Sequence, residues 1–251
     1  MKAEQLKQQT AIRCQQLSFA YRQVPVLSSI DFSVERGELV VLIGANGAGK
    51  STLMRLLLGE LLPSEGAIEL FGVNAKEFKQ WSKIGYLPQN AVERNNAFPA
   101  NVFEIVRAHL YAIKKQTKLS RKEVKQKVAE ALDLVEMTGY EKRMISHLSG
   151  GQQQRVMLAG VLAAQTELML LDEPTVGLDR NTVDGLYQLL KKLCSNGMSV
   201  LLITHDMHHI TEYANRVYCL ENGTLVKLSK EQIVYELSHR HEHPHNPVEV
   251  N

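Results

Sequence analysis

Cysteine is scarce: only Cys14, Cys194 and Cys219 occur among 251 residues. Three such widely spaced thiols cannot staple a disulfide scaffold or supply a paired-cysteine metal site, and they fit a reducing compartment. Long hydrophobic runs are missing too. The opening MKAEQLKQQT is polar, and no stretch approaches the ~18 uninterrupted apolar residues that a spanning helix requires. Any membrane role would therefore be exercised from the surface. Nor does one sign of charge dominate: 29 Lys and Arg stand against 27 Asp and Glu, a formal net charge of +2. Without a long basic block the sequence lacks the electrostatic footprint of a nucleic-acid binder, and no nucleic-acid partner is expected. There is no internal repeat.

What is present is the makeup of an ordinary globular domain, 44% hydrophobic and 22% charged. Residues 12–19, 26–34 and 66–71 are short, partly alternating apolar runs separated by turn-formers such as Pro25 and Gly37, which predicts an antiparallel layer. Leu39–Ile43, Leu168–Leu171 and Val200–Ile203 are instead continuously apolar, the pattern of parallel strands covered on both faces. Between them helical spacing dominates, with one stripe at Val102, Ile105 and Val106 and another at Val124, Val128, Leu132 and Val135. A helical insert is therefore expected over about 98–148, reaching about 165 when the helix opening at Gly150 is counted with it. Asn222-Gly223 reads as a hairpin turn between Val217–Leu220 and Thr224–Leu228. Residues 1–237 are expected to form a single domain. From Ser238 the composition shifts to histidine and proline, so 238–251 is expected to be a flexible tail without packed structure.

Directly after Leu39–Ile43 comes Gly44-Ala45-Asn46-Gly47-Ala48-Gly49-Lys50-Ser51-Thr52, which fits G-x-x-x-x-G-K-[ST] and is followed by the helical run Leu53–Leu58. Strand, glycine-rich loop and helix stand in the order that turns backbone N–H groups inward as an anion nest, with the helix start adding partial positive charge. Lys50 would reach the β- and γ-phosphates of a nucleoside triphosphate, and the Ser51 hydroxyl would be a Mg²⁺ ligand. Alone, the motif says only nucleoside triphosphatase. A second apolar strand ends in Asp172-Glu173-Pro174, two carboxylates at the strand end where such folds present their ligands. Asp172 would hold Mg²⁺, directly or through water. Glu173 would accept a proton from, or orient, the water attacking the γ-phosphate. Asp-Glu-Pro taken alone is also ordinary turn chemistry.

Twenty residues before Asp172, Leu148-Ser149-Gly150-Gly151-Gln152 opens a helical pattern, a serine hydroxyl and glycine N–H groups at a helix start making a second anion site. In isolation it would equally be a serine N-cap after a Gly-Gly turn. With the other motifs it resembles the signature of the ABC ATPase family, and the resemblance extends over roughly 11–230. It implies an α/β P-loop NTPase fold of the ABC-ATPase type: a mostly parallel core sheet, an antiparallel β-subdomain and an inserted α-helical subdomain. It implies ATP hydrolysis with ATP and Mg²⁺ as cofactors, in a homodimer where Ser149–Gln152 of one subunit closes over ATP held by the other. It also implies roles for single residues: Tyr21 as the aromatic stacked on adenine, and Gln89 as a glutamine that senses Mg²⁺ and the attacking water. Asp179, in Gly177-Leu178-Asp179, would lie in a loop crossing the dimer interface, and His205 would contact the γ-phosphate.

The family reading supplies the partners: integral membrane permease subunits, an extracytoplasmic metal-binding protein, and a peripheral place on the cytoplasmic face of the cell membrane. A permease helix would dock near Gln89–His109, against Phe98, Pro99, Val102 and Phe103, each of which reads equally well as core. Tyr86-Leu-Pro-Gln89 followed by the Ala97–Val106 segment is similar to ATPases of zinc and manganese importers. His239, His241, His243 and His245 alternate along the tail, imidazoles being suited to Zn²⁺, although a polar tail with incidental metal affinity reads the same way. The expected function is ATP-driven import of a divalent metal ion, zinc ahead of manganese or other small solutes. A soluble ABC ATPase without a permease and a non-enzymatic nucleotide-binding module are the competing classes.

Overall fold

The computed structural model describes residues 10–89, 91, 99–111, 119–205 and 210–239. Ten strands, β1 (Thr10–Tyr21), β2 (Val24–Glu35), β3 (Leu39–Ile43), β4 (Glu65–Leu70), β5 (Val73–Asn74), β6 (Ile84–Leu87), β7 (Leu168–Asp172), β8 (Ser199–Ile203), β9 (Arg216–Glu221) and β10 (Thr224–Leu228), form two sheets. The helices are α1 (Lys50–Leu57), α2 (Val102–His109), α3 (Arg121–Leu134), α4 (Gly150–Ala163), α5 (Arg180–Ser195), the short α6 (Ile210–Tyr213) and α7 (Lys230–His239).

The six-stranded sheet runs β10-β9-β3-β8-β7-β6, parallel throughout except where β10 returns along β9 across Asn222-Gly223. The four-stranded sheet, β2-β1-β4-β5, is antiparallel. Strand β3 shows why its sequence is apolar without interruption. Leu39, Val41 and Ile43 enter the core beneath the helices, and Val40 and Leu42 enter a second core shared with the antiparallel layer. Helix α1 lies in that second core through Leu53, Met54, Leu56 and Leu57. The β-subdomain is thus fastened to the sheet by the helix that begins at Lys50.

Helices α2, α3 and α4 make the insert. Each starts at a reciprocal capping box: Asn101 with Glu104, Ser120 with Glu123, and Ser149 with Gln152. The stripe Val102, Ile105 and Val106 is buried, and it packs with Val128, Leu132 and Val156 in the helical core. Val102, with no exposed surface, is therefore unavailable as a permease contact; the apolar periodicity that suggested docking is core periodicity. Phe103 is half-buried and borders an open cavity of about 660 Å³ with Asn101, Val128 and Glu141. Pro99 is exposed, and Phe98 lies outside the described residues. Among the described residues no helix is long and apolar enough to cross a membrane. Helix α7 carries the backbone to His239, two residues into the segment expected to lack packed structure; His241, His243 and His245 lie outside the described residues.

Candidate functional site

The glycine-rich loop leaves the buried end of β3 and turns into α1. Gly44 sits at φ +151°, and a β-carbon there would stand 2.3 Å from the Leu220 carbonyl oxygen of the adjacent β9, so the loop's first residue has room only for hydrogen. Lys50, only 6% exposed, donates from Nζ to the carbonyls of Gly44 (2.8 Å) and Ala45 (2.9 Å). Its ammonium is thereby held within the loop whose N–H groups form the anion nest.

In front of the loop opens a cavity of about 530 Å³ that brings together residues far apart in the chain. Asn46, Gly47, Gly49, Lys50, Ser51 and Thr52 line it from the loop and α1; Tyr21 and Val26 line it from the β-subdomain; Gln89, Glu173 and His205 line it from the ends of the parallel strands. Gly44, Ala45 and Ala48 belong to the loop but do not line this cavity. Val26, in β2, was not singled out from the sequence, where one valine in an alternating strand carries no signal.

Glu173 is the most constrained side chain here. It has φ +51°, unusual for a residue with a β-carbon, its N–H is held by the Ile203 carbonyl (2.9 Å), and it is 8% exposed. Such a backbone costs on the order of 1–3 kcal/mol and marks functional sites. The carboxylate has two partners: Gln89 Nε2 donates to Oε2 (2.9 Å), and His205 Nε2 lies 2.6 Å from Oε1. Next to it Asp172 closes β7, buried. Burial, then the neighbouring Glu173 charge, push the Asp172 carboxyl above its ordinary range, against the pull of Lys50 and His205. The cavity is lined by a cation, hydroxyls, the Glu173 carboxylate and an aromatic ring, while Asp172, the residue before Glu173, does not itself line it. That is the inventory for holding a nucleoside triphosphate and directing a water at its terminal phosphate.

The profile of the ABC transporter family matches residues 27–176. The chain belongs to that family. The zinc uptake system ATP-binding protein ZurA of Listeria innocua is 40% identical over 230 residues, 91% of this chain and 90% of that protein. The manganese transport system ATP-binding protein MntB of Listeria monocytogenes is 36% identical, over 88% of this chain and 91% of that one. Among solved structures, cbiO1 from Clostridium perfringens, described as part of the ABC transporter complex cbiONQ, superposes with a TM-score of 0.81 at 26% identity, covering 91% and 92% of the two chains. The protein is an ABC ATPase, and the two-sheet architecture with its helical insert is the ABC-ATPase fold.

In this ABC ATPase, Ser149, Gly150, Gly151, Gln152 and Asp179 do not reach the cavity of their own chain. Ser149 and Gly150 are exposed at the start of α4, where Ser149 Oγ accepts from Gln152 N (3.3 Å) and Gln152 Oε1 accepts from Ser149 N (3.1 Å). Asp179 caps α5: its carboxylate accepts from Thr182 N (3.1 Å) and Thr182 Oγ1 (2.6 Å), which hold its pKa down. The two motifs touch inside the chain, because a β-carbon on Gly151 would fall 2.5 Å from Thr182 Cγ2. Thr182 was missed in the sequence, as was Arg55, which donates from Nη1 to the Tyr21 hydroxyl (3.1 Å). Among the described residues, no group of three or more His, Cys, Asp and Glu side chains is placed to hold a metal ion.

Proposed function

We propose that this ABC ATPase powers import of a divalent metal ion, zinc rather than manganese, through separate membrane permease subunits. The observation that carries the hydrolytic part is Glu173 held between Gln89 and His205 at the mouth of the cavity that Lys50 and Ser51 line. ATP would lie with its base on Tyr21 and its phosphates against the N–H groups of the glycine-rich loop, Lys50 leaving the loop carbonyls for phosphate oxygens. Glu173 would orient the attacking water and take its proton, and His205 would donate toward the γ-phosphate. The Ser51 hydroxyl, the Asp172 carboxylate and the Gln89 amide oxygen, whose nitrogen is the part engaged with Glu173, would supply oxygen donors of the kind Mg²⁺ takes. When bound, that ion neutralises charge on the transferred phosphoryl group.

Exposed Ser149 and Gly150, together with Val176 at 59% exposed and Asp179, support a two-fold homodimer in which these residues complete the partner subunit's site. ATP would close the pair and hydrolysis would release it. The permease contact is then read from Pro99 and Phe103 rather than Val102, on the cytoplasmic face of the membrane, with an extracytoplasmic metal-binding protein delivering the ion. Zinc is favoured because the 40% identical relative bears a zinc-uptake name and the manganese relative stands at 36%.

Growth of a deletion strain on metal-chelated medium tests the cargo. Failure that zinc alone restores is the expected result; failure that only manganese restores would transfer the assignment to manganese. Normal growth under both limitations would remove metal import altogether. Tagged protein that recovers no integral membrane protein from detergent extracts would return the chain to the soluble ABC ATPases.

A further inference from the structure

The ring proposed to carry adenine stands at the end of a strand, 41% exposed, where a tyrosine side chain ordinarily samples several rotamers. Two contacts restrict it. The Phe19 ring meets it edge-on, 4.8 Å between centroids at 87°, and Arg55 Nη1 donates to its hydroxyl oxygen at 3.1 Å. Arg55 is itself held. Its Nε donates to Glu60 Oε2 (3.2 Å), and Glu60 is fixed just beyond α1 by an N–H bond to the Arg55 carbonyl (2.9 Å). Arg55 also stands on the helix that starts at Lys50, five residues further on and therefore about 7.5 Å along the axis. One helix thus reaches both the phosphate end and the base end of the cavity.

We propose that Arg55 is a positioning residue for nucleotide binding: its guanidinium, steadied by Glu60, fixes the Tyr21 ring in the orientation that stacks on a purine base. The proposal rests on the reading that Tyr21 stacks on adenine. A fixed ring loses less rotational freedom when the base arrives, so the contribution is to affinity for the base-bearing ligand and not to the phosphate contacts. Arg55 and Tyr21 are both less than half exposed but open to solvent, so the effect is that of one charge-assisted hydrogen bond weakened by water.

The test compares the affinity of the full chain for ATP with that for inorganic tripolyphosphate, both with Mg²⁺, by calorimetric titration. Arg55→Ala and Tyr21→Phe are each expected to weaken ATP by roughly threefold to fivefold and to leave tripolyphosphate unmoved. Their combination should be no weaker than either alone, since both remove the same bond. In turnover the loss should fall on KM. Equal weakening of both ligands by Arg55→Ala, additive losses in the double variant, or ATP affinity unchanged by Arg55→Ala would each overturn the positioning role. Tyr21→Ala separates the underlying reading. It should weaken ATP about tenfold or more while sparing tripolyphosphate. If it does not, stacking itself is wrong; if it does and Tyr21→Phe has no effect, stacking stands and the role of Arg55 falls.

Discussion

The Gln89 side-chain amide donates to the Glu173 carboxylate at 2.9 Å, joining a residue two beyond β6 to the one that follows β7. With His205 on the other carboxylate oxygen, each Glu173 oxygen has one partner and keeps acceptor capacity for a water. A water in the cavity can therefore reach the base without displacing either neighbour.

Glu173→Gln keeps the shape and both neighbours but removes the basic oxygen. Turnover should fall by roughly 10²–10⁴, the usual contribution of a general base, while ATP affinity is retained. A phosphate-release assay beside a binding titration checks this. Turnover within a factor of two of the parent would show that another group takes the proton.

Asp172 gives a pH-dependent signature. Its carboxyl is raised in the folded chain, so the protonated form contributes stability that is fully present below the ordinary aspartate value and is lost as pH rises through the raised one. Ionising Asp172 in the nucleotide-free protein carries a cost set first by burial and then by Glu173. Asp172→Asn removes that charge, and the variant should melt above the parent near pH 7, the gap closing as pH falls into the carboxylate range. Thermal melts across pH without nucleotide measure it. A gap independent of pH would mean that the gain has another source.

Gly151 and Thr182 predict a specific clash and its cure. Gly151→Ala places a methyl group 2.5 Å from Thr182 Cγ2, and the threonine cannot retreat without loosening its hydroxyl from Asp179. A loss of about 1–3 kcal/mol in folding stability is expected, the range for overpacking. Adding Thr182→Ser deletes Cγ2 but keeps the hydroxyl, so the double variant should recover most of it. Denaturant unfolding of the three proteins decides; a double variant no better than Gly151→Ala would mean that the contact relaxes in some other direction.

How far the molecule was legible in its sequence follows the range of each interaction. Leu39–Ile43 was found at its observed bounds because a fully covered strand must be apolar at every position. The β1 and β2 strands extend beyond the expected 12–19 and 26–34, because pairing across the sheet, Thr10 with Glu35 and Tyr21 with Val24, keeps their ends extended. Val102 stood equally open to a core place and a docking place, because helical periodicity gives the direction of a stripe and not what covers it; it lies in the core. The loop 44–52, Asp172 and Glu173 were legible from short motifs, since each is local. Arg55 with Tyr21, and Gly151 with Thr182, lie 34 and 31 positions apart, and no local pattern announces them.

Arg155 shows which of two adjacent contacts matters. From α4 its Nη1 donates to the Val135 carbonyl at the end of α3 (3.0 Å) and to the Glu136 carboxylate (2.6 Å), and its side chain is 27% exposed against 79% for Glu136. The bond from Arg155 draws the Glu136 carboxyl down, but an ion pair with so exposed a partner is worth little in water. The carbonyl bond is different: it satisfies an acceptor that the helix end leaves open, in a partly buried position. Glu136→Ala should therefore change stability by less than about 0.5 kcal/mol. Arg155→Ala should cost about 1–3 kcal/mol and speed amide hydrogen exchange across α3, because α3 and α4 lose the tie at that end. Exchange measured by mass spectrometry separates the two. If Glu136→Ala proved as damaging as Arg155→Ala, the ion pair and not the helix end would be what joins α3 to α4.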